Sequence, residues 1–98
     1  MEAIRNIHGA INEHEVKLFA LSTCGWCKKT KKLLEELDIE YLCIDFDLLS
    51  DDDKKTIKEE LKEFNPAISF PTIIIDQGEE VIVGFKEDRI RDVLSHED

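Results

Sequence analysis

The stretch Thr23-Cys24-Gly25-Trp26-Cys27 lies between two segments of unlike periodicity, and this constrains the chain more than any other feature. Before it, Val16 to Leu21 alternates apolar and polar once and then becomes continuously apolar, the pattern of a strand buried on both faces. After it, Thr30, Leu33, Leu34 and Leu37 recur at helical spacing, with Lys28, Lys29, Lys31, Lys32, Glu35 and Glu36 on the other side, and Asp38 ends the predicted helix. The two cysteines therefore fall where a helix begins. Unpaired backbone N–H groups and the positive end of the helix dipole stabilise anions there, so Cys24 is expected to act as a thiolate nucleophile. Two intervening residues allow Cys27 to reach back across one turn and release a mixed disulfide formed on Cys24. The motif reads as a redox switch.

The rest of the chain supplies the frame. Tyr41 to Asp45 reads as a second strand, and Ser50 followed by Asp53 resembles a capping box opening a helix to about Phe64, with Ile57, Leu61 and Phe64 as its buried stripe. Pro66 disfavours helical geometry in Asn65 and stops it. Ser69 to Ile75 is a β-branched run opened by Pro71, Asp76-Gln77-Gly78-Glu79 is a hairpin loop, and Val81-Ile82-Val83 is the antiparallel partner, ended by Gly84. Ile90, Val93 and Leu94 mark one face of a last short helix. In Met1 to His14, Ile4, Ile7 and Ile11 suit a short helix, whereas Gly9 suits a turn between two extended pieces; the sequence leaves both open. The order β-α-β-α-β-β-α implies an α/β fold, a four-stranded mixed sheet with helices on both faces. At 98 residues the chain is one domain, read as an N-terminal extension over 1–14 and a folded domain over 15–98.

A formal net charge of −10 argues against nucleic acid or an anionic membrane as partner, since both demand clustered cations. No apolar run approaches a membrane span, and the N-terminus lacks the layout of a signal peptide, so a cytoplasmic protein is expected. Three cysteines with two in C-x-x-C suit a working dithiol in a reducing compartment better than a disulfide framework. Cys43, within Tyr41-Leu42-Cys43-Ile44, reads as a buried inert thiol, with a resolving or metal-binding role as the alternative. The competing function class is a metal or iron–sulfur module using Cys24, Cys27, Cys43 and one of His8, His14 or His96, although a second close pair of ligands is missing. On the redox reading the chain needs no metal and no cofactor beyond a Cys24–Cys27 redox-active disulfide.

Strand, C-x-x-C, helix, strand, helix, proline-opened strand, strand, Gly84-Phe85 and helix together resemble the thioredoxin fold, and the short length resembles its glutaredoxin branch. The resemblance covers roughly residues 15–95. It implies that a cis peptide precedes Pro71, that Phe70 and Pro71 lie against the dithiol, and that Trp26, Phe70, Pro71, Thr72, Gly84 and Phe85 contact substrate. Trp26 is then an exposed platform beside the reactive sulfur, where the residue type alone equally allows a core aromatic. Lys28 and Lys29 read either as support for the thiolate or as a solvated helix face.

Glutathione-using glutaredoxins often carry Cys-Pro-Tyr-Cys, a basic residue three positions before the first cysteine, and Gly-Gly before the last helix. Here Gly25-Trp26 separates the cysteines, Leu21 stands three positions upstream and Phe85 replaces the second glycine. Gly84-Phe85-Lys86-Glu87-Asp88 instead resembles the NrdH-type redoxins, glutaredoxin-like proteins with thioredoxin-like activity. The resemblance implies a monomeric dithiol–disulfide oxidoreductase whose partners are disulfide-bearing proteins and a thioredoxin-reductase-type reductase or small-thiol donor.

Overall fold

The computed structural model describes residues 2–94. Five strands, β1 (Ile4–Ile7), β2 (Val16–Ala20), β3 (Tyr41–Asp45), β4 (Thr72–Ile75) and β5 (Glu80–Val83), form one mixed sheet in the order β1-β3-β2-β4-β5. Three α-helices, α1 (Gly25–Glu36), α2 (Asp51–Phe64) and α3 (Glu87–Leu94), cover it. β2 and β3 are parallel and joined through α1, whereas β4 runs antiparallel to β2 and β5 antiparallel to β4.

Strand period-2 alternation divides the apolar side chains between two layers. Val16, Leu18 and Ala20 of β2, Tyr41 and Cys43 of β3, and Ile73 and Ile75 of β4 pack with Leu33 and Leu34 of α1 and Ile90 and Leu94 of α3. Phe19, Ile44 and Ile74, one residue out of phase, pack on the other face with Leu61 of α2, joined by Ile57 and Phe64. β2, β3 and β4 are thus buried on both faces, the reason their sequences read as near-continuous apolar runs. α2 opens as its sequence suggests: the Ser50 hydroxyl accepts the Asp53 N–H at 3.2 Å, and Asp51, Asp52 and Asp53 fill the first turn.

The sheet has five strands where the sequence pattern suggests four. The additional strand is β1, paired antiparallel to the outer edge of β3, with Ile4 opposite Ile44 and Ile7 opposite Tyr41. Its spacing of isoleucines looked as helical as extended because it is an edge strand with one side in water: Ile4 is exposed and backbone pairing, not a buried stripe, holds it. Of the two readings of this stretch, the turn between extended pieces is the one observed. Gly9 passes so close to the turn after α1 that a Cβ there would stand 2.6 Å from the Ile39 carbonyl carbon and 2.7 Å from the Asp38 oxygen. Ile11 then exchanges backbone hydrogen bonds with Asp38 and Glu40, both 2.9 Å. Among the described residues, no helix is long and apolar enough to cross a membrane.

Candidate active site

β2 ends at Ala20 and α1 begins at Gly25, so the intervening loop delivers Cys24 to the N-cap position of α1. Cys24 has extended backbone geometry, and its Sγ accepts the Cys27 N–H at 3.2 Å, occupying the place that a serine or aspartate oxygen takes in an ordinary cap. That N–H and the positive end of the α1 dipole both point at the sulfur. Cys24 is half-buried and Cys27 has no exposed surface; both are free thiols. Burial, reinforced by the hydrogen bond and charge of Cys24, pushes the Cys27 thiol up to about 12. A Cβ at Gly25 would meet nothing within 4 Å, so the space beside this residue is open.

The loop that carries Cys24 is anchored by a residue with no signal in the sequence. Asp47 accepts the Ser22 N–H at 2.8 Å on one oxygen and the Ser22 hydroxyl at 2.5 Å on the other, which holds the Asp47 carboxyl below its usual range. Leu21 adds a backbone bond, its carbonyl accepting the Cys24 N–H at 3.2 Å.

Just before β4, the Phe70–Pro71 peptide is cis and the Pro71 carbonyl accepts the Gly84 N–H at 2.8 Å. Gly84 sits at φ 87°, which a side chain would disfavour. Trp26, Phe70, Pro71, Gly84 and Phe85 come together around one groove of 280 Å³. Trp26 is 57% exposed, and Phe85 stacks on it with ring centroids 5.8 Å apart. Lys29 lies over the same indole, its Nζ 4.6 Å from the ring centroid. Thr72 is not in this groove. Its side chain is fully buried, donating to the Ser69 carbonyl at 2.8 Å and accepting from the Asn65 amide at 2.9 Å, so it fixes the turn before β4 from behind.

Lys31 departs from the solvated face that its helical position suggests: its Nζ pairs at 2.8 Å with Asp45, which is buried at the end of β3, and Arg5 of β1 approaches the same carboxylate at 3.6 Å. Cys43 has no exposed surface, lies in the core under α1, and is pushed up by burial. Among the described residues, no group of three or more His, Cys, Asp or Glu side chains gathers closely enough to hold a metal ion, so Cys24, Cys27 and Cys43 do not converge with His8 or His14. His96 lies outside the described residues.

The glutaredoxin family model matches residues 16–81, from β2 through the start of β5. The chain is 33% identical over 75 residues to the glutaredoxin-like 8.6 kDa protein of the rubredoxin operon of Clostridium pasteurianum, an overlap of 76% of this chain and 91% of that protein. Its structure superposes on the glutaredoxin of Methanosarcina mazei Go1 with a TM-score of 0.86 at 42% identity, covering 95% of this chain and 88% of that one. The match to Methanosarcina acetivorans methanoredoxin has a TM-score of 0.83 at 44% identity, with 88% of each chain covered.

Proposed function

Because the chain belongs to the glutaredoxin family and is therefore a thiol–disulfide redox protein, we propose that it reduces disulfides in proteins through Cys24 and Cys27, without metal or other cofactor. The observation that carries this reading is the Cys24 sulfur at the N-cap of α1, accepting the N–H of a buried Cys27. The Cys24 thiolate attacks one sulfur of the substrate disulfide; a new S–S bond forms and the other substrate sulfur leaves as a thiolate. Once Cys24 is in that mixed disulfide it bears no charge, so two of the influences that hold the Cys27 proton vanish with it. Cys27 gives its proton to solvent or to the departing thiolate and attacks the Cys24 sulfur. The second substrate thiol is released and Cys24–Cys27 is left as a disulfide, two electrons having passed to substrate. An external dithiol or a reductase returns them.

The groove beside Cys24 supports a protein substrate over glutathione. It offers two stacked aromatic rings and the edge of Phe70–Pro71, apolar surface that suits the side chains flanking a protein cysteine. Phe85 fills the space where a second glycine would leave backbone N–H groups open to a carboxylate, and Leu21 supplies no cation. The reductant decides the question. With insulin as substrate, dithiothreitol or NADPH with a thioredoxin reductase should sustain turnover, and glutathione with its reductase only weakly. Efficient glutathione-driven reduction of a small mixed disulfide would overturn this specificity and return the protein to the glutathione-using glutaredoxins.

A further inference from the structure

Residues 16–34 hold five lysines and none of the chain's 23 Asp and Glu residues, in a protein of net charge −10. Four of the five lie in α1 directly after the dithiol: Lys28, Lys29, Lys31 and Lys32. Stability alone does not explain them. A helix gains from acids in its first turn, as α2 has in Asp51, Asp52 and Asp53 and α3 has in Glu87 and Asp88, whereas α1 has none there. Lys31 is committed to Asp45, but Lys28, Lys29 and Lys32 are exposed and make no ion pair among the described residues. Lys29 and Lys32 also line a shallow groove of 230 Å³ with Leu33, Glu36, Glu87 and Phe85, and Phe85 is shared with the aromatic groove beside the dithiol.

We infer that this surface recognises an acidic segment of the substrate protein, one that carries Asp or Glu a few residues away from its reactive cysteine. The inference rests on the oxidoreductase reading above and names the class of protein segment it acts on. The spacing follows from the helix. At about 1.5 Å per residue, Lys29 and Lys32 stand about 7.5 and 12 Å along α1 from Cys24, and Glu36 about 18 Å. An extended substrate covers about 3.3 Å per residue, so the cations meet positions roughly two to four residues from its cysteine. Glu36, farther along, disfavours acids beyond that. Of the two acids in the lysine groove, Glu87 is paired with Arg91 at 2.9 Å and Glu36 lies at the far end, while repulsion from acids more than about 10 Å away is screened at ordinary salt. A short anion lacking a peptide backbone cannot occupy both the Trp26–Phe85 groove and the lysine groove, which is why a protein segment is the occupant.

Two blocked peptides test this, each a disulfide-linked dimer with one cysteine per strand, identical except for Asp or Lys three and four residues from the cysteine on both sides. The full chain, reduced and freed of reductant, is mixed with each and the rate constant of thiol exchange is measured. The Asp peptide is expected to react about tenfold faster at about 0.02 M salt, and the gap to shrink by about 0.3 M. With each rate divided by the same protein's rate on neutral hydroxyethyl disulfide, Lys29→Glu combined with Lys32→Glu should reverse the preference, and Lys32→Glu alone should narrow it to less than about threefold. Equal rates for the two peptides, a faster Lys peptide, or dithiodipropionate reacting as fast as the Asp peptide would overturn the inference. Failure to exchange even with hydroxyethyl disulfide would instead overturn the oxidoreductase reading beneath it.

Discussion

The Cys27 backbone N–H donates to the Cys24 sulfur across 3.2 Å, so the buried cysteine supplies a hydrogen bond to the half-buried one before any disulfide forms between them. On the proposed mechanism this asymmetry sets the order of the two thiols. Cys24→Ser should abolish disulfide reduction, because no nucleophile remains at the open position. Cys27→Ser should keep the attack and lose the resolution, leaving the protein in mixed disulfides that appear as slower bands on non-reducing gels. Equal reactivity of the two single variants toward a thiol-alkylating probe would contradict the order.

The pH dependence of stability follows from the Cys27 thiol, whose folded value is raised from 9.0 to about 12 by burial and its neighbour. Between those values the unfolded chain releases this proton and the folded chain keeps it. The contribution is therefore fully present below about pH 9 and is lost as the pH rises toward about 12. Tyr41 and Cys43 are raised in the same direction by burial, so some loss remains without Cys27. The expected result is that the urea midpoint falls less between about pH 8 and about pH 10.5 in Cys27→Ala than in the wild type. Identical slopes would show that the Cys27 proton is not held by the fold.

Cys43 lies in the core and out of reach of solvent, with Arg5 Nη2 3.7 Å from its sulfur. Cys43→Ala should leave turnover within a fewfold of wild type and cost about 1 kcal/mol of stability for the volume lost. Loss of turnover with an unchanged circular-dichroism spectrum would show that the third cysteine takes part in the chemistry.

Gly9 is expected to be among the least replaceable residues outside the core. An added Cβ would lie 2.6 to 2.7 Å from three backbone atoms of Asp38, Ile39 and Glu40, and neither strand end can yield without breaking the Ile11 hydrogen bonds. Gly9→Ala should lower stability by about 1–3 kcal/mol and the melting temperature by several degrees. Gly25→Ala, where a Cβ meets open space, is the control and should change the melting temperature little. Equal melting temperatures for the two variants would contradict the close approach.

Legibility in the sequence tracked how local each signal was. Ser50 caps α2 three residues from its acceptor, Pro66 and Asn65 end that helix, and the apolar runs of β2, β3 and β4 announce burial on both faces; each is decided within a few residues by sterics or by side-chain burial. The edge strand β1 was ambiguous because half of its side chains face water and its pairing partner, β3, lies about forty residues away.

The sequence by itself determined that two cysteines stand at the start of an amphipathic helix after a buried strand, because periodicity and a two-residue spacing are properties of the local chain. Only the tertiary structure decided what surrounds them. Asp47 reaches Ser22 across 25 residues, Phe85 meets Trp26 from the loop after β5, Asp45 withdraws Lys31 from the solvent-exposed face of α1, and Thr72 turns inward to Asn65 instead of toward the groove. Each of these depends on which elements the sheet order β1-β3-β2-β4-β5 brings side by side, and a side chain's exposure or pairing is fixed by that neighbour, not by its own type.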